Sequence, residues 1–245
     1  MTRPTWVAID GPSGSGKSTA ARHLAQALRW AYLDTGATYR AATLAVLDAG
    51  VELGDVDLTD PLGSPVSRAA CERAEAVVRR LSIESGLDPH APTIRVDGRY
   101  IDKEIRRQRV TDWVSATAAI PGVRSLLVGQ QREVAQAHIT DGIVVEGRDI
   151  GAVVLPEAPL RVYLTADPAA RARRRVADFA VEQLGGVAQA QADLVRRDTL
   201  DQTRADTPAG VAPGAMVVDS SELGIDEVTH VLLSLCRQVG IATPD

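Results

Sequence analysis

One stretch constrains this chain more than any other. Gly11-Pro12-Ser13-Gly14-Ser15-Gly16-Lys17-Ser18 satisfies the pattern G-x-x-x-x-G-K-[ST] and follows directly on the apolar run Trp6-Val7-Ala8-Ile9-Asp10. A short apolar run that feeds glycines predicts a buried parallel strand entering a turn. Behind the turn, Ala20, Ala21, Leu24, Ala25 and Leu28 recur at i, i+3 and i+4, which predicts a helix from Lys17 to Leu28. Glycines let backbone N–H groups converge on phosphate oxygens without obstruction by side chains, and a helix N-terminus adds favourable partial charge. The stretch therefore predicts a nucleotide phosphate site made of Gly11, Ser13, Gly14, Ser15, Gly16, Lys17, Ser18 and Thr19. Lys17 should reach the β- and γ-phosphates, and Ser18 should ligate Mg2+.

The rest of the chain continues the alternation. Trp30 to Asp34 reads as a strand and Tyr39 to Leu47 as a helix, with Gly50 a C-cap. Gly, Asp and Pro from Val51 to Pro65 predict a connection, followed by a helix over Ser67 to Val78. The rhythm then changes: 80–84 and 93–96 alternate polar and apolar, and Asp97-Gly98 is a hairpin turn before Arg99-Tyr100-Ile101, so about 65–105 forms a small antiparallel insertion. Helices near 110–119 and 123–137 flank a break at Pro121-Gly122. Strands follow at 142–146, 160–165 and 215–219, with helices at about 168–184, 187–204 and 225–239. Strands alternating with helices imply an α/β fold whose parallel sheet is covered on both faces.

Composition narrows the function classes. Across 245 residues, 45% hydrophobic and 24% charged is ordinary globular usage, which excludes a disordered, collagen-like or coiled-coil chain. No apolar run approaches the roughly 20 residues needed to span a bilayer, and the N-terminus lacks the pattern of a secretory signal, so the chain reads as cytoplasmic. A net charge of -5 argues against general nucleic-acid binding. Cys71 and Cys236 stand far apart, and neither they nor His23, His90, His138 and His230 show metal-ligand spacing. Lys17 and Lys103 are the only lysines among 27 basic residues. Arginine suits bidentate grip on phosphate.

A phosphate loop alone fits kinases, GTPase switches and ATPase motors. Asp60-Pro61-Leu62-Gly63 matches D-x-x-G only formally, no N-K-x-D guanine signature occurs, and no strand ends in an Asp-Glu pair of the motor type. In open α/β sheets ligands gather at the carboxyl ends of strands. Two such corners carry an arginine beside acids or small residues: Asp34-Thr35-Gly36-Ala37-Thr38-Tyr39-Arg40 and Glu146-Gly147-Arg148-Asp149-Ile150-Gly151. Arg197, Asp201 and Arg204 fall on one helical face, as do Arg171, Arg174 and Arg175, which could cover phosphates as a lid.

With these segments laid out, the chain resembles the cytidylate kinases of bacteria, within the nucleoside monophosphate kinase family, almost end to end. The words that carry the resemblance are Ile9 to Lys17, Leu33 to Arg40, Glu104-Ile105-Arg106, Ile120 to Arg124, Glu146 to Gly151 and Arg197 to Arg204. The resemblance implies one P-loop kinase unit over 1–245, with a core of 1–34 and 105–245, a monophosphate-binding region at 35–104 carrying the β insertion, and a helical lid at 166–186. It implies ATP-dependent phosphorylation of CMP, and of dCMP, with Mg2+, by a monomer. Lys17, Arg148, Arg174 and Arg204 would be catalytic. Acceptor phosphate contacts would fall to Arg40, Arg148 and Arg204, cytosine recognition to Ser115, Arg124 and Asp149, and ribose contacts to Arg197 and Asp201. Thr35 would add a substrate contact, and Arg171, Arg174 and Arg175 would be lid residues. The chain departs from the family pattern at Thr35, where Ser is usual, at Ala152, where Thr is usual, and over Arg107-Gln108-Arg109. The chemistry agrees with this reading, because a phosphate monoester with a second pKa of about 6 is already a nucleophile at neutral pH and needs no general base.

Overall fold

The computed structural model describes residues 4–53, 65–178, 198 and 210–243. Its centre is a five-stranded sheet of β1 (Trp6–Asp10), β2 (Ala31–Asp34), β6 (Ile143–Gly147), β7 (Leu160–Thr165) and β8 (Met216–Asp219), in the order β2-β6-β1-β7-β8. Every pairing in it is parallel. A second sheet joins β3 (Ile83–Gly86), β4 (Thr93–Val96) and β5 (Arg99–Tyr100) in antiparallel order. Around them lie α1 (Lys17–Leu28), α2 (Thr35–Asp48), α3 (Pro65–Val78), α4 (Gln108–Ala119), α5 (Pro121–Ala137), α6 (Pro168–Asp178) and α7 (Ile225–Gln238). The α/β architecture expected from the alternating pattern is the architecture observed. Among the described residues, no helix is long and apolar enough to cross a membrane.

The two faces of the sheet are buried by different helices, because successive strand residues point to opposite sides. Val7 and Ile9 pack with Leu24 and Leu28 of α1 and with Leu232 of α7. Trp6 and Ala8 pack on the other face with Val128 and Ala135 of α5 and with Ile150 and Val154. The helix α2 stands between two further clusters: Ala42 and Val46 meet α3 and α5, while Ala41 and Leu44 meet Ile94, Ile105 and Val110. This packing brings the carboxyl ends of β1, β2 and β6 together, with Asp10 beside Gly147 and Asp34 beside Glu146.

Three local differences from the sequence expectation have clear causes. The helix α2 starts at Thr35 rather than Tyr39, because the Asp34 carboxylate accepts the Ala37 N–H at 2.9 Å and caps it. The first insertion strand begins at Ile83 rather than 80, because the amides of Arg79, Arg80 and Leu81 still donate to carbonyls of α3. Pro121 does not break the chain into a loop but opens α5 at its first turn, where a missing N–H costs nothing. The hairpin turn expected at Asp97-Gly98 is present, with both residues in the left-handed region (φ 49° and 78°).

Candidate active site

The phosphate loop owes its shape to its glycines. A Cβ on Gly11 would run into the Leu164 carbonyl oxygen of the neighbouring strand, and Gly14 and Gly16 take φ of 76° and 86°, which L side chains rarely adopt. Gly16 then caps α1, accepting the Ala20 N–H at 2.9 Å. Lys17 reaches back across the loop, its Nζ 3.5 Å from the Pro12 carbonyl and 4.0 Å from Glu146 Oε2.

Glu146 sits at the centre of the site, and the sequence reading gave it no individual role. It ends β6 beside β1 and accepts from the Ser18 hydroxyl at 2.7 Å and from the Tyr32 hydroxyl at 3.3 Å. Burial and, after it, the nearby Asp34 charge push its carboxyl up to about 7 against the opposing pull of Lys17.

Asp10 works one layer below. Its carboxylate accepts the amides of Ile150 at 2.7 Å and Gly151 at 2.8 Å, and so ties the strand that enters the phosphate loop to the turn that carries Arg148 and Asp149. Burial raises this carboxyl to about 6, although the two amides and Lys17 oppose the shift. The turn closes as one wide helical turn over Ile150–Val154, with Leu155 N–H donating to the Ile150 carbonyl at 2.7 Å.

Above these residues opens a cleft of about 510 Å³. Ser13, Gly14, Gly16, Lys17, Ser18 and Thr19 of the phosphate loop and the start of α1 line it together with Thr35, Arg40, Ser115, Arg148 and Asp149. Arg40 is held by the Ile105 carbonyl at 3.2 Å and the Thr111 hydroxyl at 3.0 Å, and Thr35 donates to the Glu146 carbonyl at 2.7 Å. Arg124 does not line the cleft; it stands behind Asp149 and forms a buried ion pair with it. Tyr32, Tyr39 and Arg106 also line the cleft; Tyr39 and Arg106 lie in words that carry the family resemblance but were given no role, and no motif marked Tyr32.

Two arginines of α6, Arg171 and Arg174, lie against the phosphate loop. Arg171 donates to the Ser13 carbonyl at 3.2 Å and pairs with Asp198. Arg174 donates to the Ser15 carbonyl at 3.2 Å and to Ser220, whose buried hydroxyl itself donates to Ser15 at 3.1 Å. The side chain of Arg175, and Arg197, Asp201 and Arg204, lie outside the described residues. Among the described residues, no group of three or more His, Cys, Asp or Glu could hold a metal ion by itself.

A parallel sheet whose first strand runs through a glycine-rich phosphate loop into α1, with acids and arginines at the carboxyl ends of the neighbouring strands, defines a P-loop nucleotide-binding fold. The family model described as cytidylate kinase matches residues 7–238. Cytidylate kinases of Nocardia farcinica, Rhodococcus jostii and Mycobacterium avium are 48%, 49% and 44% identical to the chain, covering 96%, 93% and 97% of it and 94%, 92% and 97% of their own lengths. The chain belongs to the cytidylate kinase family of enzymes.

Proposed function

We propose that this enzyme transfers the γ-phosphoryl group of ATP to the phosphate of CMP, and of dCMP, by direct in-line displacement. The observation that carries the reading is one cleft lined both by the phosphate loop and by Arg40, Arg148, Ser115 and Asp149. The donor phosphates lie along the loop amides and Lys17. The acceptor phosphate is gripped by Arg40 and Arg148, and by Arg204, which the family resemblance adds. A dianionic acceptor needs no proton removed, so catalysis rests on alignment and charge neutralisation. Arg171 and Arg174 hold the loop's shape through its carbonyls.

Asp149 and Ser115 read the base. Cytosine presents an exocyclic amine that donates, where uracil presents a carbonyl that accepts, so a carboxylate at this wall pairs with one and repels the other. Arg124 orients Asp149 from behind. Arg197 and Asp201 bind the ribose, as the family resemblance implies.

The residues present fit Mg2+. The Ser18 hydroxyl and the Glu146 carboxylate are adjacent hard oxygen donors beside the phosphate loop, and Mg2+ prefers one or two such ligands together with waters and phosphates. When bound, the ion offsets charge on the donor phosphates. A coupled ADP-release assay with ATP and Mg2+ against CMP, dCMP, UMP, AMP, GMP and shikimate tests the proposal. Preference for CMP and dCMP is expected; equal or better turnover of UMP would overturn the base reading, and turnover of no acceptor would overturn the activity.

A further inference from the structure

The carboxylate of Asp198 is held as a phosphate group would be. One oxygen accepts the Ser13 N–H of the phosphate loop at 3.2 Å and lies 3.5 Å from Arg148 Nη1. The other pairs with the Arg171 guanidinium. One loop amide and two guanidiniums around a single anion are the donor set that nucleotide-binding sites present to phosphate oxygens. The carboxylate is 12% exposed, so the contacts are largely shielded from water.

Its place matters as much as its partners. Ser13 and Arg148 both line the cleft, so an anion that touches both stands against its wall beside the phosphate loop. A fixed negative charge there would repel the phosphoryl group in transit. Both arginines, however, also hold carbonyls of the loop, Arg148 that of Gly11 at 3.1 Å and Arg171 that of Ser13 at 3.2 Å. They remain anchored when the carboxylate leaves.

Resting on the reading of the cleft as a phosphate site, we propose that Asp198 is an exchangeable internal anion. It holds Ser13 N–H, Arg148 and Arg171 in their working positions until the terminal donor phosphate displaces it. The cost of that exchange lowers the enzyme's affinity for polyphosphate and keeps two clustered guanidiniums and a buried amide satisfied before substrate arrives.

Titration calorimetry of the full chain with inorganic tripolyphosphate, comparing wild type, Asp198→Asn and Asp198→Ser, tests this. Both variants should bind the probe about tenfold more tightly, the effect of removing one competing internal anion. A melting curve run alongside separates folding from binding. Unchanged or weaker binding by folded variants would make Asp198 a permanent structural tie and overturn the proposal. Failure of all three proteins to bind would overturn the phosphate-site reading, and this inference with it.

Discussion

Removing Asp149 should damage the enzyme twice, and the two effects can be separated. Arg124 and Asp149 are 7% and 6% exposed and form an ion pair. At an effective dielectric near 20, a pair in contact is worth about 4 kcal/mol of Coulomb energy. Deleting one partner of a buried pair typically costs about 3–5 kcal/mol, because the other charge stays buried. For a chain of this size each kcal/mol moves the melting temperature by roughly 2–4 °C, so Asp149→Ala should melt roughly 6–20 °C below wild type by differential scanning calorimetry. Turnover assayed below the melting range should show kcat/KM for CMP down by about a hundredfold or more, with KM for ATP within about threefold. Adding Arg124→Met to Asp149→Ala removes the stranded charge, so the double variant should regain most of the lost stability while CMP turnover stays low. An Asp149→Ala protein that melts within about 2 °C of wild type, or a double variant no more stable than the single one, would refute the buried-pair argument. CMP turnover surviving in the double variant would refute the assignment of base recognition.

Asp10 has a pKa of about 6 in the fold against 3.8 as an ordinary aspartate, so the native state binds the extra proton. Its contribution to stability is therefore lost as pH rises from about 4 to 6, roughly 3 kcal/mol in all, and urea unfolding of wild type should show a slope in that window that Asp10→Asn lacks. Glu146, with its pKa near 7, should make the Mg2+ requirement of turnover ease as pH rises through neutrality; in Glu146→Gln that dependence should shrink relative to wild type and the half-saturating Mg2+ concentration should rise about tenfold. Gly11→Ala forces a Cβ against the Leu164 carbonyl and should cost about 2 kcal/mol or more by urea unfolding together with most of the ATP affinity, whereas unaltered ATP binding would show that the loop is more adaptable than its packing implies.

Local signals in the sequence located elements well where each element carried its own pattern. The apolar run of β1 and the helical spacing of α1 located those elements, and Asp97-Gly98 located a hairpin turn, because the information lies within a few residues of the feature. The cleft was legible in the same way: the phosphate loop and the corners after β2 and β6 are contiguous words. What escaped depends on contacts distant in sequence. Glu146 reads as one more acid at a strand end until β6 is known to lie beside β1, and Asp10 gains its role only when the amides of Ile150 and Gly151 fold onto it. The shared helical face of Arg171 and Arg174 was visible, but not that it presses on loop carbonyls more than 150 positions away. Arg124 could be picked out as a recognition residue, yet nothing in its neighbourhood revealed that it stands behind Asp149.

The position of β1 in the sheet also sets a timetable for synthesis. It leaves the ribosome before the other strands of its sheet, yet both its edges pair with late segments: β6, beginning at Ile143, and β7, beginning at Leu160. At translation rates of about 5–20 residues per second, its apolar residues wait roughly 7–30 s for partners. During that interval the phosphate loop has no neighbouring strand to fix it, and the apolar residues of β1 stay without the strands that later cover its edges.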